Sequence, residues 1–380
     1  MSLKHLELFS QGAIDLIERA DLSLRLGSGR ALRVKFGMDP SSPDLHLGHC
    51  VQLFKLRALQ RAGMQIVLIV GDSTAMVGDP SGRNKLRPQL TRAEVEANLE
   101  TYISQVSKVL DMQRTEVHRN SEWFDKMRFE DVLQLASRMT VARMLERDTF
   151  QKRVGDNEPI GIHEFLYPLM QGWDSVMIRA DVELGGSDQL FNLIVGRHLQ
   201  EQTGQTPQVV LTLPLITGFD GRKMSKSYDN SIPLTDSARE MFHKVLRVED
   251  KNVKQWLELL TEVEPAEIER LCAGDWRDAK DRLASEITGF FHGRQSLDDV
   301  REAPSMPWPD PTADRMPLAN LIKQLGLSAS TSDARRAVQQ GAVTLDGTVA
   351  TDPVFQVERA RLPLLLQLGK RRAARILPPT

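Results

Sequence analysis

The first 230 residues alternate between short apolar runs and longer segments in which apolar positions recur every three or four residues. The short runs predict strands, and the longer periodic segments predict helices. The predicted strands are residues 32–36, 66–70, 115–118, 178–184 and 209–213, and the predicted helices are residues 47–61, 92–110 and 189–202. This alternation is typical of a parallel sheet covered by helices. We therefore predict one α/β domain over residues 1–230, with ligands at the carboxyl ends of its strands.

The pattern changes twice in the rest of the chain. Helical periodicity without β-branched runs predicts a small helical domain over residues 231–302. Five prolines between positions 304 and 317 disfavour a regular helix or a central strand, so residues 303–317 are predicted to be an extended, semi-rigid connector. Two short helical segments and several strand-like runs follow. They predict a small α+β module over residues 318–380.

Composition excludes several classes of protein. A hydrophobic content of 41% and a charged content of 26% are ordinary for a folded globular chain and argue against general disorder. The apolar run at residues 64–70 is far shorter than the ~20 residues that cross a bilayer. Residues 1–20 carry acidic side chains among apolar ones, which favours an amphipathic helix over a secretory signal. We expect a cytoplasmic protein with no membrane association.

Cysteines and charge add two further expectations. Cys50 and Cys272 are the only cysteines, too few for a disulfide framework or a cysteine zinc site, and we predict no structural metal. Residues 313–380 contain ten Lys or Arg and five Asp or Glu, a net charge of +5 that leaves −7 on the rest of the chain. This asymmetry indicates a segment that faces RNA or another phosphate-rich partner.

The first motif with chemical content follows the first predicted strand. His46-Leu47-Gly48-His49 stands where an amphipathic helix begins. Free N–H groups and the helix dipole attract anions there, and a glycine allows a nucleotide to approach the backbone. The two imidazoles could then donate hydrogen bonds to a triphosphate whose charge builds up during reaction. Ordinary surface histidines and a metal site are the alternatives, although no further ligands stand nearby at a zinc-site spacing.

A second motif follows the last predicted strand of the α/β domain. It reads Lys223-Met224-Ser225-Lys226-Ser227, with two ammonium groups three residues apart on a loop. A lone charge run of this kind is usually a solvated loop. Here both motifs follow strands of one predicted sheet, so the lysines could close over the triphosphate that the histidines contact.

These two motifs resemble the two ATP-binding signatures of the class I aminoacyl-tRNA synthetases. The resemblance implies a Rossmann-like catalytic domain and a two-step reaction, in which ATP activates an amino acid that is then transferred to tRNA. It implies catalytic roles for His46, His49, Lys223 and Lys226, with Arg83 and Arg87 as basic groups that meet the lysine loop. The implied ATP site contains Gly37, Asp39, His46, Gly48, His49, Gly186, Asp188, Gln189, Met224, Ser225 and Lys226.

Two further segments bear on the choice of amino acid. Tyr167, Gln171 and Asp174 are spaced to lie on one helix face, although such a face is more often a buried polar network or a solvated edge. The segment from Gly185 to Gln189 ends a predicted strand and opens a helix. Its glycines allow close ligand approach and Asp188 could accept from a ribose hydroxyl; a tight turn with an acidic cap is the alternative.

Together these segments resemble the bacterial tyrosyl-tRNA synthetases over nearly the whole chain. The resemblance implies that Asp174 accepts a hydrogen bond from the substrate phenol. It implies a tyrosine site completed by Asp79, Tyr167, Gln171 and Gln189, in which the first three hold the α-ammonium group. Phenylalanine would leave the Asp174 carboxylate desolvated and unpaired.

Three positions depart from the family pattern. Lys35 and Phe36 stand where the best-studied bacterial members carry tyrosine and cysteine, and Ala142 stands where they carry asparagine. The second partner of the phenol is therefore left open, as is one ribose contact.

The carboxyl-terminal module resembles the RNA-binding module first described in a ribosomal small-subunit protein. The residues predicted to bind RNA are Arg335, Arg336, Lys370, Arg371 and Arg372. Basic side chains of this kind bind phosphates and confer affinity with little base specificity. A solvated basic tail is the alternative for the terminal run.

The resemblance thus implies a class I tyrosine–tRNA ligase that uses ATP with Mg²⁺ as substrate, together with L-tyrosine and tRNA(Tyr). The tyrosine carboxylate is already ionised near pH 7, so no general base is required. The resemblance implies a homodimer. Three alternatives stay open: a tryptophan-activating relative, a nucleotidyltransferase on the same sheet, and a noncatalytic RNA-binding role.

Overall fold

The computed structural model describes residues 2–81, 90–225, 228, 230–301, 305–369 and 372–378. The chain divides into two compact units, Met1–Arg294 and Gln295–Thr380. The first unit holds the predicted α/β domain together with residues 231–294 of the predicted helical segment. The second unit begins before the predicted connector.

Within the described part of the first unit, six strands form a twisted sheet in the order β1-β6-β5-β2-β3-β4. Neighbouring strands from β6 to β4 are parallel, and β1 pairs antiparallel with β6 at one edge. The strands are β1 (Asp15–Ile17), β2 (Arg33–Met38), β3 (Gln65–Val70), β4 (Thr115–Arg119), β5 (Val182–Gly186) and β6 (Val209–Leu213). β5 and β6 are buried throughout, as parallel strands with helices on both faces must be. The predicted α/β fold class is confirmed.

Helices cover the sheet and continue beyond it. Their ranges are α1 (Ser2–Ser10), α2 (Arg19–Gly27), α3 (Leu47–Arg61), α4 (Asp72–Val77), α5 (Arg92–Val106), α6 (Ser121–Phe124), α7 (Phe129–Ala136), α8 (Val141–Met144), α9 (Asp148–Gly155), α10 (Ile162–Ile178), α11 (Leu190–Gln202), α12 (Ala238–Val245), α13 (Asp250–Leu260), α14 (Pro265–Ala273) and α15 (Trp276–His292). α10 and α11 pack closely against each other at two glycines. A Cβ built on Gly172 would lie only 3.0 Å from the backbone nitrogen of Gly196. This packing fixes the helix that carries Tyr167, Gln171 and Asp174.

Two predictions for the first unit differ from the structure. The predicted strand 178–184 begins too early, because Ile178 is still the last residue of α10. The next residue, Arg179, has a φ of 50°, which stops the helix. Residues 1–20 do not form one helix, since β1 lies between α1 and α2. A three-residue strand leaves too short a pattern for periodicity to detect.

The second unit has its own sheet and core. Its described elements are α16 (Ser296–Arg301), β7 (Ser305–Pro307), β8 (Arg315–Pro317), α17 (Leu318–Gln324), α18 (Thr331–Gln339), β9 (Val343–Leu345), β10 (Thr348–Ala350), β11 (Gln356–Glu358), β12 (Leu364–Leu368) and β13 (Arg372–Leu377). Strands in the order β10-β9-β12-β13-β7 form the larger sheet of this described region, and β11 pairs with β8. Leu321, Ile322 and Val338 of the two main helices pack against Leu366 and Ile376 of this sheet.

The proline-rich segment differs from the extended connector that the sequence predicts. β7 pairs in parallel with β13 at the edge of the sheet, where prolines are tolerated. Trp308 is only 2% exposed, and its backbone N–H donates to the carbonyl of Leu377 at 2.9 Å. Residues 305–317 therefore belong to the core and edge of the second unit. The presence of Trp308 in the segment was the sequence feature that indicated burial, because a large aromatic side chain is usually packed in a core.

Candidate active site

A cavity of about 810 Å³ opens at the carboxyl ends of β2, β3 and β5, where parallel α/β sheets bind ligands. Most of the site residues predicted from the sequence lie in its wall. They are Gly37, Asp39, His46, Gly48, His49, Asp79, Tyr167, Gln171, Asp174, Gly186, Asp188, Gln189, Lys223, Met224 and Ser225. The predicted residues Arg83, Arg87 and Lys226 lie outside the described residues. The fold therefore brings segments that are far apart in the sequence to one cavity.

Two histidines begin helix α3 beside this cavity. Nδ1 of His46, the residue before the helix, accepts a hydrogen bond from the backbone N–H of Gly48 at 3.1 Å. Nδ1 of His49 accepts from the backbone N–H of His46 at 3.2 Å, and the two ring centroids lie 4.0 Å apart. A neutral imidazole that accepts at Nδ1 carries its proton on Nε2. Each ring can then donate from Nε2, next to the positive end of a helix, where anions such as phosphate are favoured.

Gly48 is required by the position of the His46 ring. A Cβ on residue 48 would lie 2.8 Å from both Nδ1 and Cε1 of His46. Gly48→Ala should therefore displace the ring that caps the helix and raise the KM for ATP about tenfold, the cost of one lost hydrogen bond of ordinary strength. Steady-state pyrophosphate exchange at varied ATP measures this effect.

Gly27→Ala is the matched control, because nothing lies within 4 Å of a Cβ built at that helical glycine. Its KM for ATP should equal that of the wild type. An unchanged KM in Gly48→Ala would show that the His46 ring does not need its observed position.

The segment around Lys223 forms the other side of the cavity. Nζ of Lys223 lies 3.0 Å from Oδ2 of Asp188, so the predicted phosphate ligand is paired with the predicted ribose ligand. Sδ of Met224 accepts from the N–H of Gly48 at 3.2 Å. The buried amide of Asn230 holds this segment, since its Oδ1 accepts from the N–H of Ser225 at 2.8 Å. The two ATP signatures are therefore in direct contact.

Asp174 is a buried carboxylate on α10 that also lines the cavity. Its Oδ1 accepts from Nε1 of Trp123 at 3.0 Å, and its Oδ2 accepts from Nδ2 of Asn120 at 3.4 Å. Burial raises the pKa of Asp174 to about 7, and the opposing effects of Lys35 and of the two hydrogen bonds only partly offset it. A carboxylate of this kind gains from a further hydrogen-bond donor such as a phenol.

The raised pKa of Asp174 makes the stability of the unliganded protein depend on pH. The folded form keeps a proton up to about pH 7 that an unfolded aspartate releases near pH 3.8. The free energy of unfolding should therefore fall by roughly 4 kcal/mol as the pH rises from about 4 to about 7, and stay level above that.

Urea unfolding of the wild type and of Asp174→Asn at pH 5 and pH 8 measures this contribution. The asparagine side chain of the variant does not titrate, so the difference in stability between the two proteins should change across this range while all other groups cancel. Equal pH dependence in both proteins would mean that Asp174 is ionised in the folded state at pH 5.

The residues predicted to hold the α-ammonium group are already engaged in a polar network. Oδ2 of Asp79 accepts from Nε2 of Gln189 at 2.9 Å, and Asp79 also accepts from Ser81. Arg147 lies 3.6 Å from Asp79. The Tyr167 hydroxyl donates to Oδ2 of Asp39 at 2.9 Å. These contacts place carboxylate and hydroxyl oxygens in the cavity wall, the groups that bind an ammonium ion.

The three departures from the family pattern have different positions. Phe36 lines the cavity, whereas Ala142 is exposed on α8. Lys35 is fully buried and does not line the cavity. Its ammonium group donates to Oε1 of Glu183 at 2.8 Å, to Oγ of Ser175 at 2.7 Å and to the carbonyl of Gln171 at 2.7 Å. All three of its N–H donors are used, so Lys35 does not contact a ligand directly.

Sequence reasoning missed Asn120 and Trp123, the two partners of Asp174. Asn120 follows β4 directly, at the edge of the sheet where the cavity opens, and Trp123 lies on the short helix α6 that comes next. A polar residue that follows a strand of a parallel sheet is a signal for a ligand site, and Asn120 satisfies it. Trp123 gave no such signal, because a tryptophan beside a phenylalanine is usually interpreted as a core residue.

The predicted RNA-binding residues are only partly described. Arg335 and Arg336 are exposed on α18, where Arg336 pairs with Asp333. The exposed Arg372 donates from Nη1 to the carbonyl of Leu327 at 2.6 Å. Lys370 and Arg371 lie outside the described residues. In the described part of the chain, no group of three or more His, Cys, Asp or Glu residues could hold a metal ion, and no helix could cross a membrane.

Comparison with known proteins agrees with this geometry. A family model for class I tRNA synthetases of the tryptophan and tyrosine type matches residues 28–306, and an S4 domain model matches residues 316–360. The sheet, the histidine-capped helix and the lysine loop are thus those of a class I synthetase.

Individual relatives narrow the class. The tyrosine–tRNA ligase of Moorella thermoacetica is 46% identical, with 98% of this chain and 95% of that protein covered. The tyrosine–tRNA ligase of Thermotoga maritima is 45% identical, with 98% of this chain and 97% of that protein covered. A C-terminally truncated mitochondrial tyrosyl-tRNA synthetase of Aspergillus nidulans has a TM-score of 0.66 at 26% identity, over 79% of this chain and 92% of that one. The chain belongs to the family of tyrosine–tRNA ligases, and the predicted family membership is confirmed.

Proposed function

We propose that this protein activates L-tyrosine with ATP and transfers it to the 3′ end of tRNA(Tyr). The observation that carries the proposal is that one cavity is lined by His46 and His49, by Lys223 and by the buried Asp174. An anion-binding end and an acceptor for a ring hydroxyl are the two features that tyrosyl-adenylate formation requires. Relatives of matching length carry the name tyrosine–tRNA ligase.

In the first step, a carboxylate oxygen of tyrosine attacks the α-phosphorus of ATP. A new P–O bond forms, the bond to the bridging oxygen breaks, and pyrophosphate leaves with its Mg²⁺. The nucleophile is ionised at neutral pH, so no proton has to be removed. His46, His49 and Lys223 stabilise charge on the phosphates, while the cavity aligns the two substrates. Lys226, Arg83 and Arg87 are proposed to act in the same way on the leaving group.

In the second step, a ribose hydroxyl at the 3′ end of the tRNA attacks the carbonyl carbon of the adenylate. An ester forms, AMP leaves, and the hydroxyl proton is released. The second unit is proposed to bind the RNA through phosphate contacts from Arg335, Arg336, Lys370, Arg371 and Arg372, which predicts a steep salt dependence of tRNA affinity. We assign residues 1–230 to the catalytic domain and residues 231–302 to the anticodon side.

A homodimer is the proposed assembly. Phe129, Leu133, Val141 and Ile162 are 54% to 84% exposed on α7, α8 and α10, helices that share a buried cluster beneath them. Large exposed apolar side chains on helices that share one core favour association with another protein surface. Phe129→Glu should therefore yield monomers in sedimentation equilibrium. Leu24→Glu is the control, because Leu24 is also exposed but lies on α2, and this variant should stay dimeric. A dimeric Phe129→Glu protein would contradict the proposal.

We also propose a cytoplasmic location, where tRNA and ATP are available.

Amino-acid-dependent exchange of labelled pyrophosphate into ATP tests the function. The purified protein should support exchange with tyrosine and not with tryptophan or phenylalanine, and should then charge tRNA. Exchange with tryptophan alone would identify the tryptophan-activating alternative. No exchange with any amino acid would leave a nucleotidyltransferase or a noncatalytic RNA-binding role and refute the proposal.

A further inference from the structure

A buried ion pair lies directly behind the amino-acid end of the cavity. Lys35 on β2 is 0% exposed, and its partner Glu183 on β5 is 1% exposed. Their charged atoms are 2.8 Å apart. Neither side chain lines the cavity. Because a buried ion pair adds little to stability compared with apolar side chains of the same size, its presence here calls for another role.

Glu183 orients a residue that does line the cavity. Besides Lys35, its carboxylate accepts from Oγ of Ser175 at 3.0 Å, from the amide of Gln208 and from Nε2 of Gln171 at 3.3 Å. Four donors satisfy the two oxygens. The Glu183 carboxylate therefore fixes the orientation of the Gln171 amide, with the nitrogen of that amide turned toward Glu183.

The other half of the Gln171 amide is fixed as well. Oε1 of Gln171 accepts from Nδ2 of Asn192 at 2.8 Å, and the same Asn192 nitrogen donates to Oε1 of Gln189 at 2.9 Å. Gln189 in turn donates to Asp79 at 2.9 Å. A continuous network thus connects the Lys35–Glu183 pair to the carboxylate proposed to bind the α-ammonium group.

The pair also acts on the opposite end of the amino-acid site. Lys35 donates to the backbone carbonyl of Gln171, one turn before Asp174 on α10. The charge of Lys35 lowers the pKa of Asp174, Glu183 raises it, and the hydrogen bonds from Trp123 and Asn120 lower it, all against the larger effect of burial. The pair is therefore placed to influence both the phenol acceptor and the ammonium ligands.

We propose that the buried Lys35–Glu183 pair is a specificity-determining positioning element, which fixes the Gln171 amide and the α10 backbone so that the cavity accepts tyrosine. The inference rests on the proposed function of the cavity. Lys35 and Glu183 themselves do not line the cavity and are not expected to contact the substrate. Lys35 thereby acts on the amino-acid site from behind the pocket wall.

The double variant Lys35→Met/Glu183→Gln tests the inference, because it removes both charges and leaves no unpaired ion. Its KM for tyrosine in pyrophosphate exchange should rise about tenfold, since misorientation of Gln171 forfeits a hydrogen bond to the ammonium group. The KM for ATP should stay within twofold, and burst titration should give wild-type adenylate per folded site. Glu183→Gln alone, which keeps the volume, should shift the tyrosine KM in the same direction.

Arg153→Met/Glu164→Gln is the matched control. Arg153 and Glu164 form another buried pair, 2.6 Å apart, which also ends on α10 but does not line the cavity. This control should leave the tyrosine KM within twofold of the wild type. An unchanged tyrosine KM in both Lys35–Glu183 variants, or parallel losses in tyrosine KM, ATP KM and burst size, would overturn the inference. Lack of tyrosine-dependent exchange by the wild type would instead refute the proposed function.

Discussion

Asp174→Ala is expected to lower kcat/KM for tyrosine by about 100-fold, because the phenol loses a charged acceptor in a buried site. Phenylalanine brings no hydroxyl, so its activation should not fall and should rise as the buried carboxylate disappears. The ratio of tyrosine to phenylalanine activation should therefore collapse by at least this factor. Pyrophosphate exchange with each amino acid measures both values.

Asp181→Asn is a suitable control, because Asp181 is a buried carboxylate whose guanidinium partners, Arg30 and Arg25, lie outside the cavity. It should retain the wild-type discrimination. A constant tyrosine-to-phenylalanine ratio in Asp174→Ala would remove Asp174 from the specificity site. Parallel loss of both activities would instead point to a damaged fold.

Lys223→Ala is expected to slow adenylate formation by about 10²–10³-fold, the usual loss when one preorganised group that stabilises developing charge is removed. Tyrosine affinity should hardly change, because Lys223 contacts Asp188 and not the amino-acid end of the cavity. Rapid-quench measurement of single-turnover adenylate formation gives the rate, and equilibrium dialysis gives the affinity for tyrosine.

Arg222→Ala provides the control for charge in the same segment. Arg222 pairs with Asp220 at 2.6 Å and lies over the ring of Tyr228, and it does not line the cavity. Its rate should stay close to that of the wild type. Equal slowing in Arg222→Ala and Lys223→Ala would show a general electrostatic effect, and an unchanged rate in Lys223→Ala would contradict its assigned role.

The sequence predicted the central architecture because parallel strands are buried on both faces. β3 and β6 are nearly uninterrupted apolar runs, and such runs stand out from the amphipathic helices between them. The carboxyl ends of these strands must share one edge of the sheet. For this reason, the sequence alone assigns His46 and Asp188, more than 100 positions apart, to one site.

The network behind the cavity could not be predicted in this way. Lys35 and Glu183 stand on neighbouring parallel strands, and only the register, which pairs Lys35 with Glu183, places them side by side. A lysine within a strand normally predicts an exposed position. The partners of Asp174 depend likewise on how Trp123 folds back toward α10, which no local pattern encodes.

In the second unit, the prediction for the proline-rich segment was wrong for a different reason. Its prolines favoured an extended connector, but burial of Trp308 and pairing of β7 with β13 decide the structure of residues 305–317. Proline excludes a central strand and permits an edge strand, so propensity alone could not distinguish an edge from a connector.

A crystal structure with a non-hydrolysable analogue of tyrosyl-adenylate would show whether one cavity binds both the nucleotide and the tyrosine ring. We expect the phenol oxygen within hydrogen-bonding distance of Asp174, and the phosphate beside Nε2 of His46 or His49. An analogue bound with its ring away from Asp174, or in a cleft that the two histidines do not line, would contradict this expectation.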